Sequence, residues 1–507
     1  METFRESTGM PMDEHNRKLL DRVHPEDWHP PTPEPVYNLV VIGAGTAGLI
    51  SAIGCTTLGG KVALVERHLM GGDCLNVGCV PSKCLIRSAR AAAETASADR
   101  FGLTSHQAKA SDFPAIMERL RRLRADIGMN DSVRRYSELG VHVFLGDASF
   151  RDRESITVDG IPLRFRKAVI ATGASPACPD IEGLAESGFR TNETIFDLTE
   201  LPSRLAVIGG GPVGCELAQA FRRLGSDVTI LQHTRFLPRE DAEASAIIEA
   251  KFKREGIQVM TEARPIRVGK AGGHKRIIAG TPEGERVIEA DEILVGTGRR
   301  PNVENLSLSN AGVAFDAVKG IQVDDFLRTT NPRIYAAGDV CMNWKFTHAA
   351  DAAARIAVQN ALFLGRKRLS VLNMPWCTYT DPEIAHVGLY EEEAQAGNFE
   401  VDTYKVSLDE VDRAVVDGET EGFIKVLVRK GTDSIVGATI VATHAGDLIS
   451  EISVAMAGKI GLKTLADVIH PYPTQAEGIR RVAAAYNRTR LTPRVSALLK
   501  WWLKIQR

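Results

Sequence analysis

The chain carries almost no net charge: 62 Lys and Arg stand against 64 Asp and Glu over 507 residues, a formal balance of -2. That balance gives no reason to expect nucleic acid or an acidic ligand as the main partner. Cysteine is scarce, with eight residues in all, too few for a disulfide scaffold in a chain of this size. The N-terminal stretch is polar and mixed in charge and lacks the apolar centre of a signal peptide, so a reducing cytoplasm is the expected compartment. A membrane-spanning run is missing too. Leu39 to Leu58 holds no charged residue and is long enough to raise the question. Its glycines, at Gly43, Gly45, Gly48 and Gly54, point instead to a buried strand running into a helix.

What is present is glycine, 45 residues of it, much of it clustered after apolar runs as in nucleotide-binding α/β proteins. A strand from Tyr37 leads into VIGAGTAG, then a helix, then KVALVE ending in Glu66. Gly43, Gly45 and Gly48 let backbone approach a pyrophosphate at a helix N-terminus, and Glu66 is placed to bind ribose hydroxyls. A second fingerprint follows Leu205 to Ile208 as GGGPVG, with Gly209, Gly211 and Gly214. Glu66 lies 23 residues after Gly43, and the residue 23 after Gly209 is Gln232. The acid is therefore absent from the second site, while His233, Arg235 and Arg239 crowd it, which favours a 2′-phosphate and hence NADPH. If these groups only form a solvated loop, NADH serves as well. Two fingerprints imply two dinucleotides, as for FAD reduced by a nicotinamide.

Gly71 to Leu85 reads GGDCLNVGCVPSKCL. If a helix begins near Gly72, Cys74 and Cys79 fall on neighbouring turns, close enough for a small, easily cycled disulfide. Lys83 and the helix start would support a low-pKa thiolate. Two buried structural cysteines, or half of a zinc site, are the plainer readings; zinc would want two more ligands at short spacing, and none is evident. The whole string resembles the redox signature of the class I pyridine nucleotide-disulfide oxidoreductases, or flavoprotein disulfide reductases. The mercuric reductase-like and dihydrolipoamide dehydrogenase-like branch is the nearest, and the likeness covers about Tyr37 to Asn487.

The resemblance implies an α/β fold with two Rossmann-like dinucleotide-binding domains, for FAD and NAD(P), and a C-terminal α+β dimerisation domain. The expected boundaries are an extension at 1–36, an FAD domain at 37–180 and 305–373, a nicotinamide domain at 181–304, an interface domain at 374–487 and a basic tail at 488–507. It further implies that Cys79 is the charge-transfer thiolate against the flavin and Cys74 the outer, exchanging thiol. Lys83 and Glu216 match an ion pair near the reactive flavin nitrogen. ATGASP, with Thr172 and Gly173, and GTGRRPN, with Gly298, match the passages into and out of the nicotinamide domain, and Asp339 in IYAAGDV matches the acid that holds the ribityl chain; Gly72 joins the flavin contacts. In a homodimer the last segment completes the partner's site, with Tyr472, His470 and Glu477 shaping the acceptor pocket.

HPYPTQAE, from His470 to Glu477, departs from that family, which carries His-Pro-Thr. Tyr472 takes the place of the catalytic histidine, and a phenol with a pKa of about 10 is a poor base at neutral pH. Mercuric reductases share the tyrosine, but this chain has no cysteine after Cys377 with which to deliver Hg(II). Cys84 and Cys377 read as structural thiols. The expected acceptor is a small-molecule or protein disulfide, with His470 as substitute base; a soft metal ion or quinone is the alternative, and a flavin redox sensor or interaction protein the third. Residues 1–36, broken at Pro25, Pro30, Pro31, Pro33 and Pro35 and with Trp28 as an anchor, carry no assigned chemistry. The tail holds Arg488, Arg490, Arg494, Lys500, Lys504 and Arg507 without an acid, and Val495, Leu498, Leu499 and Trp502 at helical spacing. Such a helix can lie on an anionic membrane. Packing against the enzyme's own body is the expectation, because short amphipathic helices more often face a core.

Overall fold

The computed structural model describes residues 9–103, 111–363 and 365–507. It divides into two compact units: the described residues of Met1–Gly210, Leu217–His233 and Met260–Leu372, and a second made of Gly211–Glu216, Thr234–Val259 and Asn373–Arg507. In the first, Tyr37–Ile42 lies between Val62–Glu66 and Ile161–Ile170, both parallel to it. Val141–Leu145 extends one side, and Ile334–Ala336 also pairs with Ile161–Ile170 in parallel. Tyr37–Ile42 and Val62–Glu66 are buried almost end to end, as parallel strands covered on both faces must be. The antiparallel strands Ser155–Val158 and Ala148–Phe150 complete the sheet. A second parallel set joins Asp227–Leu231, Arg204–Ile208 and Glu292–Val295, beside a meander of Arg264–Ala271, His274–Thr281 and Gly284–Ala290.

The second unit is built on a five-stranded antiparallel sheet ordered Pro375–Thr378, Glu383–Gly388, Ile435–Ala442, Phe423–Arg429 and Val401–Ser407. The helices Ala445–Ala457, Leu462–Asp467 and Glu477–Thr489 place Ile449, Ile452, Leu462 and Val482 in its core. The α/β class with two nucleotide-binding sheets and an α+β C-terminal part is as expected.

Four expectations are corrected. The N-terminal extension is not merely a proline-broken lead: Glu14–Val23 is a helix, capped by Asp13, that buries Leu19, Leu20 and Val23 completely. Full burial of three such side chains contributes about 1.5–3 kcal/mol each. Trp28 does anchor, donating its indole N–H to the Val143 carbonyl at 3.1 Å. Rich in Ala, Arg and Leu, Ala89 to Val133 reads from its sequence as helices with basic surface faces, yet Arg121 and Arg124 are buried; residues 104–110 of that stretch lie outside the described set. The two cysteines do not share one helix: Gly72–Asn76 ends at Val77, and Cys79–Ala96 starts afresh after Gly78. The tail helix, Pro493–Ile505, buries none of its residues.

Candidate functional site

Both fingerprints are built alike. Gly43 has φ +100°, and a Cβ there would sit 2.4 Å from the Ala171 carbonyl oxygen; Gly209 has φ +113°, and its Cβ would sit 2.5 Å from the Gly296 oxygen. Each glycine therefore lets its turn lie against the end of a neighbouring strand, at ATG in one case and GTG in the other. Glu66 accepts the Ala44 N–H at 2.6 Å, and Gln232 accepts the Gly210 N–H at 2.8 Å through Oε1. The amide thus occupies the place the carboxylate holds in the first site. Burial pushes the Glu66 carboxyl up, with the Ala44 and His68 N–H groups pulling the other way. The glycine cradles, which a Cβ would fill, and the buried polar group at the end of each second strand fit two dinucleotides, one with and one without an acidic ribose contact. His233 and Arg235 are exposed, and the Arg235 guanidinium donates to the Pro238 and Glu240 carbonyls at 2.8 and 2.9 Å.

The redox stretch is packed directly onto the first cradle. A Cβ on Gly72 would lie 2.6 Å from the Gly45 Cα. Beneath it, the buried Arg124 donates to the Asn76 carbonyl at 2.8 Å and to Asn16 Oδ1 at 2.7 Å. The N-terminal helix thereby helps hold the loop between the cysteines.

Cys74 and Cys79 are free thiols within hydrogen-bonding reach of each other. That bond, then burial, holds the Cys74 thiol far above its ordinary pKa. Thr347 hydrogen-bonds to Cys74 as well and pulls the other way. Cys79 is the first residue of the 18-residue helix Cys79–Ala96. Its sulfur also lies 3.3 Å from Oγ1 of Thr347, which opens the helix Thr347–Leu362. Two helix N-termini thus meet at one sulfur, each favouring a thiolate by about 0.3–1 kcal/mol.

Three residues here escaped the sequence reading. Thr347 stands one position before His348, where the sequence reads as the start of a helix running to Phe363, whereas the folded helix is Thr347–Leu362. Arg299 lies inside the quoted GTGRRPN string, and its guanidinium pairs with Asp73 on the redox helix and, at 3.3 Å, with Asp339. Burial opposes the Arg299 charge, but Asp73 and Asp339 raise its pKa overall. Asp131 gave no signal at all. Its carboxylate lies 3.1 Å from where a Cβ on Gly71 would be, its field reaches Cys74, and burial raises its pKa.

The other expected residues lie as follows. Thr172 Oγ1 donates to the Asn302 carbonyl at 2.7 Å, and the Asn302 amide returns a bond to the Thr172 carbonyl. Gly173 accepts the Asn302 N–H, and Gly298 accepts that of Ala177. Lys83 is half-buried in the first turns of Cys79–Ala96. Glu216 is buried and accepts the Tyr379 N–H at 3.0 Å. Tyr472 is exposed, and its hydroxyl donates to Asp412 at 3.0 Å, which raises its pKa. Glu477 is instead paired with Arg480 and Arg481, at 3.0 and 3.5 Å. The His470 side chain is buried against Glu451, with Nε2 2.8 Å from its carboxylate. Tyr472 and Glu477 thus do not form a dyad within the chain. Among the described residues no cluster of His, Cys, Asp and Glu could hold a metal ion, and no helix is long and apolar enough to cross a membrane.

Residues 37–354 match the family described as pyridine nucleotide-disulphide oxidoreductase, and 374–483 match its dimerisation domain. The mercuric reductase of Staphylococcus aureus is 36% identical over 453 residues, 89% of this chain and 83% of that protein. That of Streptomyces lividans is 36% identical over 455 residues, 89% and 96% of the two. Among solved structures, LpdA from Mycobacterium tuberculosis aligns with a TM-score of 0.81 at 28% identity, covering 89% of this chain and 99% of that one. The HOCl-induced flavoprotein disulfide reductase RclA from Escherichia coli aligns at 0.79 and 27%, covering 88% and 99%.

Proposed function

The chain belongs to the pyridine nucleotide-disulphide oxidoreductase family, and from that membership we propose that it uses NADPH to reduce a Cys74–Cys79 disulfide, from which Cys74 passes electrons to an acceptor disulfide. It is an FAD- and nicotinamide-dependent oxidoreductase, and its dimerisation domain supports a homodimer. FAD, when bound, supplies two-electron transfer between the nicotinamide and the dithiol. Gly43, Gly45, Gly48, Gly72, Glu66, Thr172, Gly173 and Asp339 would hold it, and Lys83 would set the charge beside it. Gly209, Gly211, Gly214 and Gly298 would receive the nicotinamide dinucleotide. The uncharged Gln232, beside His233 and Arg235, supports NADPH over NADH.

The observation that carries the reading is the thiol pair itself: Cys74 and Cys79 lie within hydrogen-bonding reach, with the Cys79 sulfur 3.3 Å from the Thr347 hydroxyl and at the start of two helices. Cys74, once deprotonated, attacks one sulfur of the acceptor, forming a mixed disulfide and expelling the other sulfur as a thiolate that takes up a proton. Cys79 then attacks Cys74, restoring the Cys74–Cys79 disulfide and expelling the second acceptor sulfur as a thiolate, which takes its proton from solvent while the first takes the one released by Cys74. The acceptor gains two electrons and two protons. Asp131, beside the turn that carries Cys74, takes the Cys74 proton, a role a phenol at Tyr472 fills poorly. A soft metal ion is the second reading, favoured by the exposed Tyr472 and by relatives named as mercuric reductases. A compartment that keeps thiols reduced suits either.

The test is anaerobic. The FAD-loaded dimer is reduced with NADPH, and its reoxidation by lipoamide, glutathione disulfide and Hg(II) is followed separately. Fast reoxidation by one disulfide is expected. Reoxidation by Hg(II) alone moves the chain to the metal reading, and full turnover by Cys74→Ser removes the dithiol from the mechanism.

A further inference from the structure

The last side chain buried in the core is Ala483, and the family match ends at that residue. A separate helix begins ten residues later. Thr492 caps it by accepting the Val495 N–H, and Pro493 occupies its first turn, so Pro493–Ile505 has its own start signal. None of its 13 residues is buried. Leu498, Trp502 and Ile505 are 61%, 53% and 57% exposed.

Helical spacing of 3.6 residues per turn sets Val495, Leu498, Leu499, Trp502 and Ile505 on one face, flanked by Trp501 and Leu503. Lys500, Lys504 and Arg507 fall on the opposite face. Residues 488–507 hold six cations and no carboxylate side chain. At about 1.5 Å per residue, 13 residues reach roughly 20 Å, short of the ~30 Å hydrocarbon core, so this helix cannot cross a bilayer.

We propose that residues 488–507 dock the enzyme on an anionic lipid surface, the helix Pro493–Ile505 lying in the headgroup layer with its leucine and tryptophan face toward the acyl chains. The two adjacent tryptophans suit the water–lipid boundary, and the cations on the other face, in the lead-in at Arg488 and Arg490 and in the first helical turn at Arg494 meet phosphate. An anionic bilayer offers apolar depth and negative charge together, which is the complement of this segment. The enzyme then works at the face of a membrane without entering it.

The FAD-loaded full chain is sedimented with vesicles of phosphatidylcholine alone and of phosphatidylcholine with about one-third phosphatidylglycerol. Binding to the anionic vesicles is expected at least 10-fold above the neutral ones, falling as salt is raised. Leu498→Glu with Trp502→Glu should abolish it while NADPH oxidation and dimer mass stay unchanged. Absent binding to anionic vesicles, or undiminished binding by that double variant, overturns the proposal. A change in oligomeric mass in the double variant, with no vesicle binding by the parent, assigns the helix to a second copy of the chain instead.

Discussion

Replacing Thr347 with Val removes one hydroxyl and keeps the side chain's shape. The hydroxyl lies 3.3 Å from the Cys79 sulfur, at the first residue of the helix Thr347–Leu362. The helix ends stay in place, so only the hydrogen bond to the thiolate is lost. Such a bond to a charged group contributes about 1.5–3 kcal/mol, and sulfur is a weak acceptor, so the lower figure applies. At about 1.4 kcal/mol per pKa unit, the Cys79 thiol should titrate roughly one unit higher. The Cys74→Ser background isolates Cys79 from its partner's proton. Iodoacetamide alkylation of Cys79, followed by peptide mass spectrometry across pH, reads the thiolate fraction directly. Thr347→Ser, which keeps the hydroxyl, should restore the lower value. A shift below about 0.3 units would mean that the helix ends alone set the charge on Cys79 and that Thr347 is only a packing residue.

Gln232→Glu restores an acid at the second ribose position on an isosteric side chain that can still accept the Gly210 N–H; the ratio of kcat/KM for NADH over NADPH should rise by about 10-fold or more, and an unchanged ratio refutes the specificity argument. Burial pulls the His386 pKa down to about 4 from 6.5, so the unfolded chain takes up this proton first as pH falls. The associated stability is whole above pH 6.5 and is lost between 6.5 and 4, about 3 kcal/mol in all. Urea unfolding at pH 7 and 5 should show the loss, and His386→Gln should flatten it; equal slopes in both proteins contradict the assignment. Arg124→Met leaves the Asn76 carbonyl and Asn16 Oδ1 without their buried donor and should cost about 2–3 kcal/mol by the denaturation midpoint. A change below ~0.5 kcal/mol would show that the loop between the cysteines does not depend on it.

The fold class was legible because its signals are local and periodic. VIGAGTAG before a helix and KVALVE ending in an acid place strand, turn and second strand within one short stretch. Phe423 to Val428 and Ile435 to Val441 read as strands flanking the KGTDS turn, and a helix reads at about Ala445 to Ala457; the folded elements are Phe423–Arg429, Ile435–Ala442 and Ala445–Ala457. Counting residues to Gln232 foresaw what its bond to Gly210 shows in space. The misses are non-local. Arg124 looks like one more surface arginine until Asn16 and Asn76 close over it from distant parts of the chain. The helix Glu14–Val23 lies among prolines, and its apolar face has meaning only against the body it covers. The break at Val77–Gly78 depends on the close approach of Gly78 to the Asp73 carbonyl, which spacing alone does not reveal.

The order of residues by itself determined two nucleotide cradles, a dithiol between them in sequence, the missing acid at Gln232 and the tyrosine at 472, because each is a matter of residue type at a short, countable spacing. The tertiary structure alone brought the Thr347 hydroxyl and a second helix start to the Cys79 sulfur, from 268 residues away along the chain. It alone set Asp131 beside the turn of Cys74 and gave Glu477 to arginines rather than to Tyr472. It also left the tail helix uncovered. Electrostatic fields and burial act through space, so the groups that tune a site become visible only when the chain has folded around it.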